Sequence, residues 1–272
     1  MCSIAATGVV MKYPTACFLA FSLACPFLSA EESLWEFTGA AGLSYSGGNS
    51  DSVAYSLQFL GSYMKDGQEA YLGMDYFYSE DGAVKGTDSL KVFGQYNHDL
   101  TERFYVGGYG SYFRDSVADI GYRIDPSLLF GYRVVDRDGM KLSFEAGPGY
   151  TWRESGGVKS DFATLRLAEK FEYHFNESTK FWQLLGLNPA VEDFSDYVLD
   201  LELGIETRIT NQWSLRTFMK HRIDSNPALG KGRSDTSILL GLAYDLNGLP
   251  EPEESGRRSL MITDDKARSL SD

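Results

Sequence analysis

Cysteine is nearly missing from this chain. Its three cysteines, Cys2, Cys17 and Cys25, all lie within the first 30 of 272 residues. Residues 31–272 therefore hold neither a disulfide framework nor a thiolate metal site. Histidine is as scarce, and His98, His174 and His221 have no neighbours at zinc-ligand spacing. Only 8 prolines interrupt the chain, which leaves long stretches free to pair as strands. Mean hydropathy is -0.25, and no class of helical membrane protein fits it. Bases are few as well: 25 Lys and Arg against 38 Asp and Glu give a net charge of -13. Such a surface does not suit nucleic acid, whose phosphates need cations. No motif implies a cofactor. "GYGSY" (108–112) reads Gly-x-Gly-Ser-x, which is not a nucleophile elbow, and it sits inside a strand pattern.

What the chain does have is aromatic residues and glycine: 17 Tyr, 17 Phe and 28 Gly. From Trp35 to Leu246 short alternating segments and turn clusters follow one another. A period of two is the strand period. The segments run 35–46, 52–64, 69–79, 88–98, 103–114, 120–135, 140–153, 161–175, 181–190, 197–209, 213–222 and 235–246. Each is close to, or somewhat above, the ~9–11 residues that carry a tilted strand across a bilayer.

The connections alternate between two kinds. "KDGQ" (65–68), "DLTE" (99–102), "DRDG" (136–139), "NEST" (176–179) and "TNQ" (210–212) are tight. "SEDGAVKGT" (79–87), "DSVAD" (115–119), "ESGGVKS" (154–160), "NPAVEDFSD" (188–196) and "DSNPALGKGRS" (224–234) read as longer loops, and "GGNSD" (47–51) joins them by position. Short turns at one end and long loops at the other suit an up-and-down barrel in an outer membrane.

Each segment has one oily and one polar face. Tyr122, Ile124, Leu128, Phe130, Tyr132 and Val134 share one side, and Arg123, Asp125, Ser127 and Arg133 the other. Glycines such as Gly131, Gly147, Gly149 and Gly241 gather on polar faces, where they ease crowding inside a closed barrel. Pro126 removes a ladder donor, so a bulge is expected there. Two aromatic belts are expected at the strand ends. One holds Trp35, Phe37, Phe104, Tyr105, Phe181, Trp182, Trp213 and Tyr244, and the other Tyr45, Tyr76, Tyr78, Tyr112, Tyr122, Tyr150 and Trp152.

The stretch 199–222, "LDLELGIETRITNQWSLRTFMKHR", carries the sharpest pattern. With "TNQ" as a three-residue hairpin loop and Asn211 in the left-handed conformation, Ile209 faces Trp213. Glu206 then falls opposite Arg216, Glu202 opposite Lys220, and Asp200 opposite Arg222. A shift by one residue would set every charge against an apolar partner, so the register is well specified. Lipid-facing charges would cost ~2–4 kcal/mol each at mid-membrane. The expectation is an oily face toward lipid and a charge ladder of Asp200, Glu202, Glu206, Arg216, Lys220 and Arg222 along the lumen.

Both termini break the pattern. The run "TACFLAFSLACPFLSA" (15–30), after Lys12, has the form of a bacterial secretory signal. Residues 1–30 are assigned to it, with Met11 as the expected start and Ala30 as the cleavage site. Cys25 could take a lipid, but Ser22 stands where that motif usually has Leu. Residues 247–272 are rich in Pro, Glu and Ser and read as a disordered polar tail. The barrel is thus expected over 31–246.

The chain also resembles a known bacterial family, the salt-induced outer-membrane proteins, a domain-of-unknown-function family. The resemblance rests on "GLSYSGGNSDS" (42–52), "YNHDLTERFYVGGYGSYFRD" (96–115), "GYR" (131–133), "EAGPGYTW" (145–152) and "NPALGKGRSDTSILLGLAYDL" (226–246). These are turn and strand signatures. They imply a Gram-negative outer-membrane β-barrel without catalytic residues, and with the lipid bilayer and the assembly machinery as partners. "GLAYDL" (241–246) looks like the assembly signal, with Leu246 where an aromatic is usual and 26 residues still to follow.

The reading is therefore all-β: an up-and-down antiparallel transmembrane β-barrel of about 12 strands, non-enzymatic, either structural or a narrow pore. Charges of both signs on the lumen faces leave ion selectivity open. Two alternatives remain. An outer-membrane lipolytic enzyme would use His221, Ser225 and Asn226, but four residues of strand span about 13 Å and a general base needs contact near 3 Å. A soluble secreted barrel binding an apolar ligand would turn the oily faces inward, and twelve strands would then enclose more apolar volume than side chains fill.

Overall fold

The computed structural model describes residues 35–46, 52–82 and 84–246. The proposed signal segment, the "GGNSD" link and the C-terminal tail lie outside the described residues. Twelve strands follow in order: β1 Trp35–Ser46, β2 Ser52–Lys65, β3 Gln68–Asp81, β4 Val84–Asp99, β5 Phe104–Asp115, β6 Ile120–Arg137, β7 Met140–Ser155, β8 Val158–Asn176, β9 Thr179–Pro189, β10 Tyr197–Arg208, β11 Trp213–Asp224 and β12 Ser234–Asp245. Every strand pairs antiparallel with its neighbours in sequence, and β1 closes on β12 through Thr38↔Asp245 to Ala41↔Leu242. The fold is a closed up-and-down barrel. Closure matters physically because it leaves no sheet edge with unpaired N–H and C=O groups.

Alternation and turn chemistry together account for the hairpins. Asp66 (φ 50°) and Gly67 (φ 71°) are both left-handed and make the two-residue turn between β2 and β3. Gly156 (φ 58°) and Gly157 (φ 74°) do the same between β7 and β8. That second turn corrects the expected loop at 154–160, which is mostly paired strand. Segment 79–87 is corrected likewise, since β3 runs to Asp81 and β4 starts at Val84. Polar composition suggested loops there, but left-handed glycines, Gly156 and Gly157 in one turn and Gly82 (φ 52°) in the other, help to turn the chain, and most polar residues stay in the ladder. The contrast in loop length survives mainly at 190–196 and 225–233.

Two local expectations fail. Among the described residues the only non-glycine positions with positive φ are Asp66 and Asp119, so Asn211 is not left-handed. Instead Thr210 Oγ1 accepts the N–H groups of Gln212 (3.3 Å) and Trp213 (3.0 Å) and shapes the turn itself. Pro126 makes no bulge. The β6–β7 ladder omits it, yet Ile124↔Trp152 and Ser127↔Gly149 keep one offset. The missing N–H costs a ladder bond without adding a residue to the strand. The offsets in β6 occur elsewhere, between Ile120 and Tyr122 and between Arg133 and Val135.

The two faces are inverted relative to a water-soluble barrel. Leu128 is 61% exposed and Ile238 74%, with Leu72, Phe130, Phe144, Ile205 and Leu240 also exposed on the outer face. Arg133 is 2% exposed and Glu172 1%, with Glu69, Glu145, Thr151 and Glu206 buried on the inner face. Aromatic pairs ring the outer face near the strand ends. At the tight-turn end Trp213 meets Tyr244 at 4.8 Å and Phe104 meets Tyr132 at 4.7 Å. At the loop end Tyr150 meets Trp152 at 4.8 Å and Tyr55 meets Tyr78 at 5.0 Å. The side chain of Tyr45 lies outside the described residues.

Tyr105 and Trp182, expected in the belts, belong to the lumen: each is buried, and each adjoins an outward partner, Phe104 and Phe181. Consecutive strand residues cannot share a face. Each ring lies flat over an inward glycine. A Cβ on Gly131 would stand 2.0 Å from Tyr105 Cζ, and one on Gly204 would stand 2.1 Å from Trp182 Cζ2. The glycines make room for the rings on the crowded inner wall.

Candidate functional site

The inner wall is where chemistry is concentrated. On β10 and β11 the register is Asp200↔Arg222, Glu202↔Lys220 and Glu206↔Arg216, and each pair is in contact. Arg216 donates to Glu206 Oε2 from Nε (3.0 Å) and Nη2 (2.6 Å). Lys220 Nζ lies 3.0 Å from Glu202 Oε2, and Arg222 Nη1 lies 3.2 Å from Asp200 Oδ1. The remaining oxygens are also occupied. Ser214 Oγ donates to Glu206 Oε1 (3.0 Å), and Trp182 Nε1 donates to Glu202 Oε1 (2.9 Å). Satisfying the spare lone pairs is what makes burial of such charges tolerable.

Contacts across the lumen were not foreseen. Lys220 Nζ also reaches Asp75 Oδ2 on β3 at 2.6 Å. Lys91 on β4 stands 4.0 Å from Asp200 on β10, six strands away in a ring of twelve. The Arg222 guanidinium lies 3.9 Å above the Phe113 ring on β5, again from the opposite wall. Phe77 and Phe218 meet at 6.4 Å from β3 and β11. Opposite walls meet at this level through paired charges and rings.

Toward the tight turns a second network fills the space beside β3–β8. Arg133 Nη2 donates to Glu69 Oε1 (2.9 Å) and Asp99 Oδ1 (2.8 Å). Asn97 donates to Glu69 (3.0 Å), and Gln95 donates to Asn97 (2.9 Å) and Glu145 (2.7 Å). Lys170 Nζ is 2.6 Å from Glu145 Oε1, which also accepts the Tyr105 hydroxyl at 2.9 Å. This cluster is a polar plug held by linked hydrogen bonds, which reinforce one another in a low-dielectric setting. Of its members the sequence placed Arg133 on a polar face and Tyr105 in the outer belt, and their meeting depends on how the wall curves between strands that are not neighbours.

At the opposite end a strap holds the last loop. Arg153 makes a bidentate pair with Asp196 (3.2 and 2.8 Å), and Asn226 Nδ2 donates to the same carboxylate at 3.0 Å. Ala228 is buried there, and Pro227, Ala228 and Lys231 line the lumen. Asp193, in the loop before β10, has its carboxyl held below the usual range by hydrogen bonds from the Ser195 hydroxyl and N–H.

Between plug and strap lies a cavity of about 650 Å³. Two cations on its wall, Arg166 and Lys231, make no ion pair among the described residues. Arg166 on β8 stacks on Tyr109 at 3.7 Å, and among the described residues no carboxylate is within salt-bridge reach of it. The residues weighed for lipolysis are engaged elsewhere. His221 Nδ1 is 2.7 Å from Thr236 Oγ1, and Ser225 Oγ accepts the Tyr197 N–H at 2.7 Å. Among the described residues no group of three or more His, Cys, Asp and Glu is placed to hold a metal ion.

No curated protein matches this chain. Among solved structures it is similar to the NanC porin, with 14% identity over 78% of this chain and 100% of that one, at a TM-score of 0.49. It is similar to the KdgM porin, with 11% identity over 77% and 98% and a TM-score of 0.41. It is also similar to the translocator domain of the autotransporter NalP from Neisseria meningitidis, with 17% identity over 77% and 86% and a TM-score of 0.42. Residues 39–246 match the family model described as "Protein of unknown function, DUF481". The chain belongs to the DUF481 family.

Proposed function

We propose that this protein spans the bacterial outer membrane and acts there as a narrow, charge-lined pore. The observation that carries the reading is the inversion of its two faces. A belt of exposed Leu, Ile and Phe surrounds a wall of buried Arg, Lys, Glu and Asp. In water so large an apolar surface would drive aggregation, whereas in a bilayer it is the solvated face. The soluble alternative needs the oily faces inside, and burial has the opposite sense.

A pore reading is favoured over a purely structural one by the 650 Å³ cavity between plug and strap. The pinch of Lys91, Asp200, Lys220 and Asp75 within it sets the width. The six-residue ladder braces one wall of that pinch, and the polar plug narrows the tight-turn end. Assembly would read "GLAYDL" (241–246) as an internal signal, and tight turns would face the periplasm. Induction by salt, which the resemblance suggests, would appear as a rise in transcript after an osmotic shift.

The test is fractionation with heat-modifiable gel mobility, followed by conductance in planar bilayers. Small, discrete current steps from an outer-membrane species support the pore. Recovery mainly in the soluble periplasmic fraction overturns the membrane reading. A correctly inserted barrel without steps leaves only the structural role.

A further inference from the structure

The outer face contains one residue that does not belong in lipid. Along β8 the outward positions run Ala163, Leu165, Leu167, Glu169, Phe171, Tyr173 and Phe175. Their parity follows from the register. Lys170 and Ala168, on either side of Glu169, are partners of Ser143 and of the buried, inward Glu145, whereas Glu169 is the partner of Phe144, an exposed outer residue. Glu169 is thus a carboxylate in the middle of an apolar stretch, with three outward apolar or aromatic residues to either side. Among the described residues its one polar contact is Gln183 on β9, whose Nε2 lies 3.0 and 2.9 Å from the two carboxylate oxygens. Gln183 is outward as well, next along its face from Phe181, whose ring meets Phe171 at 6.1 Å.

A carboxylate inside a bilayer is costly and is retained where it has a task. Structural duty within one barrel does not account for the pair. Register and closure at β8–β9 are already set by a continuous ladder from Leu167↔Leu187 to His174↔Lys180. After their mutual contact the two side chains still have capacity to spare. The carboxylate keeps free lone pairs on both oxygens, and the amide keeps its carbonyl oxygen and a second N–H.

We propose that Glu169 and Gln183 form the centre of a contact between two copies of this chain within the membrane. The pair is self-complementary. A two-fold axis along the membrane normal, passing between β8 and β9, sets β8 of one copy against β9 of the other. Glu169 then accepts from Gln183 of the second copy, and the reverse holds on the other side of the axis. That is the condition an isologous interface must meet. Glu169 is the partner of Leu185, so acid and amide are diagonal neighbours. In tilted strands diagonal neighbours come close to equal depth, which lets one axis serve both. A basic partner protein would satisfy the acid, but would leave the adjacent amide without a role.

This inference rests on the outer-membrane reading, and the experiment separates the two. Leu185→Cys is placed beside the proposed axis, and Leu215→Cys on β11, also outward, serves as the control. Both are oxidised in intact outer membranes, with fractionation and heat-modifiability read on the same samples. The expected result is a disulfide-linked dimer for Leu185→Cys, none for Leu215→Cys, and at least a tenfold loss of dimer when Glu169→Leu and Gln183→Leu are added. Membrane-inserted, heat-modifiable protein that gives no dimer at Leu185→Cys overturns the proposal and leaves the membrane reading intact. So does a dimer that persists in the Leu/Leu variant, or a cross-link to a different protein. Protein in the soluble fraction overturns both.

Discussion

Lys220 Nζ is held between two walls, 2.6 Å from Asp75 Oδ2 on β3 and 3.0 Å from Glu202 Oε2 on β10. It ties β3 to β10 and is part of the pinch. Lys220→Met would leave two carboxylates facing one another. Breaking a buried pair costs ~3–5 kcal/mol, and partial hydration of this site brings that to ~1–3 kcal/mol. The urea midpoint of the refolded barrel should fall accordingly. The double change Lys220→Met with Asp75→Asn should recover part of the loss. A double variant no better than the single one would show that the tie carries little.

The outer face predicts where charge is not tolerated. Leu128→Arg or Leu240→Arg places a guanidinium on an exposed apolar position. In a bilayer each should cost ~2–4 kcal/mol and lower the heat-modifiable fraction. Leu229→Arg, at a loop position 102% exposed, should change stability by less than ~0.5 kcal/mol. Equal tolerance at all three positions would contradict a lipid-facing belt.

Sidedness can be read with thiols, given attention to backbone conformation. Gly67, Gly139, Gly157 and Gly230 all have positive φ, and a cysteine there would strain its turn. Leu229→Cys in the last loop and Asp138→Cys in a tight turn avoid this. An impermeant thiol reagent on whole cells should label Leu229→Cys and spare Asp138→Cys until the membrane is opened. The opposite pattern would invert the barrel.

Arg166 gives the lumen a cation that stacks on Tyr109 and, among the described residues, makes no salt bridge. Arg166→Gln should therefore move the reversal potential of a salt gradient toward cation preference and leave the assembled fraction unchanged. An unmoved potential would mean that ions bypass this side of the cavity.

Strand number, strand order and the β10–β11 register follow from features near in sequence. A period of two tells the faces apart, and one hairpin loop sets which acid meets which base. Glu206 and Arg216 could be paired because only four loop residues separate their strands. Lys91 and Asp200 could not, because their meeting depends on the cross-section of a ring closed by all twelve strands. Arg133 reaches Glu69 for the same reason. Trp182 looks like a belt residue because it lies near a strand end, but its parity opposite to Phe181 places it in the lumen. The segments 79–87 and 154–160 read as loops in the sequence because polarity at a protruding hairpin looks the same whether the backbone is paired or not.

The ring lying on Gly204 gives the protein a fluorophore of its own at the pinch. Of the four tryptophans, Trp152 and Trp213 are each 43% exposed on the outer face and Trp35 stacks there with Phe37, while Trp182 is 7% exposed inside. Its indole N–H is tied to Glu202, and the Arg216 guanidinium lies 5.3 Å from its ring. In a bilayer, emission from the three outer indoles should respond to acyl chains and to brominated lipid. On the pore reading, emission from Trp182 should respond to a solute that passes the carboxylate beside it. With brominated lipid quenching the outer three, the residual light becomes an optical gauge of lumen occupancy that needs neither a label nor an electrode.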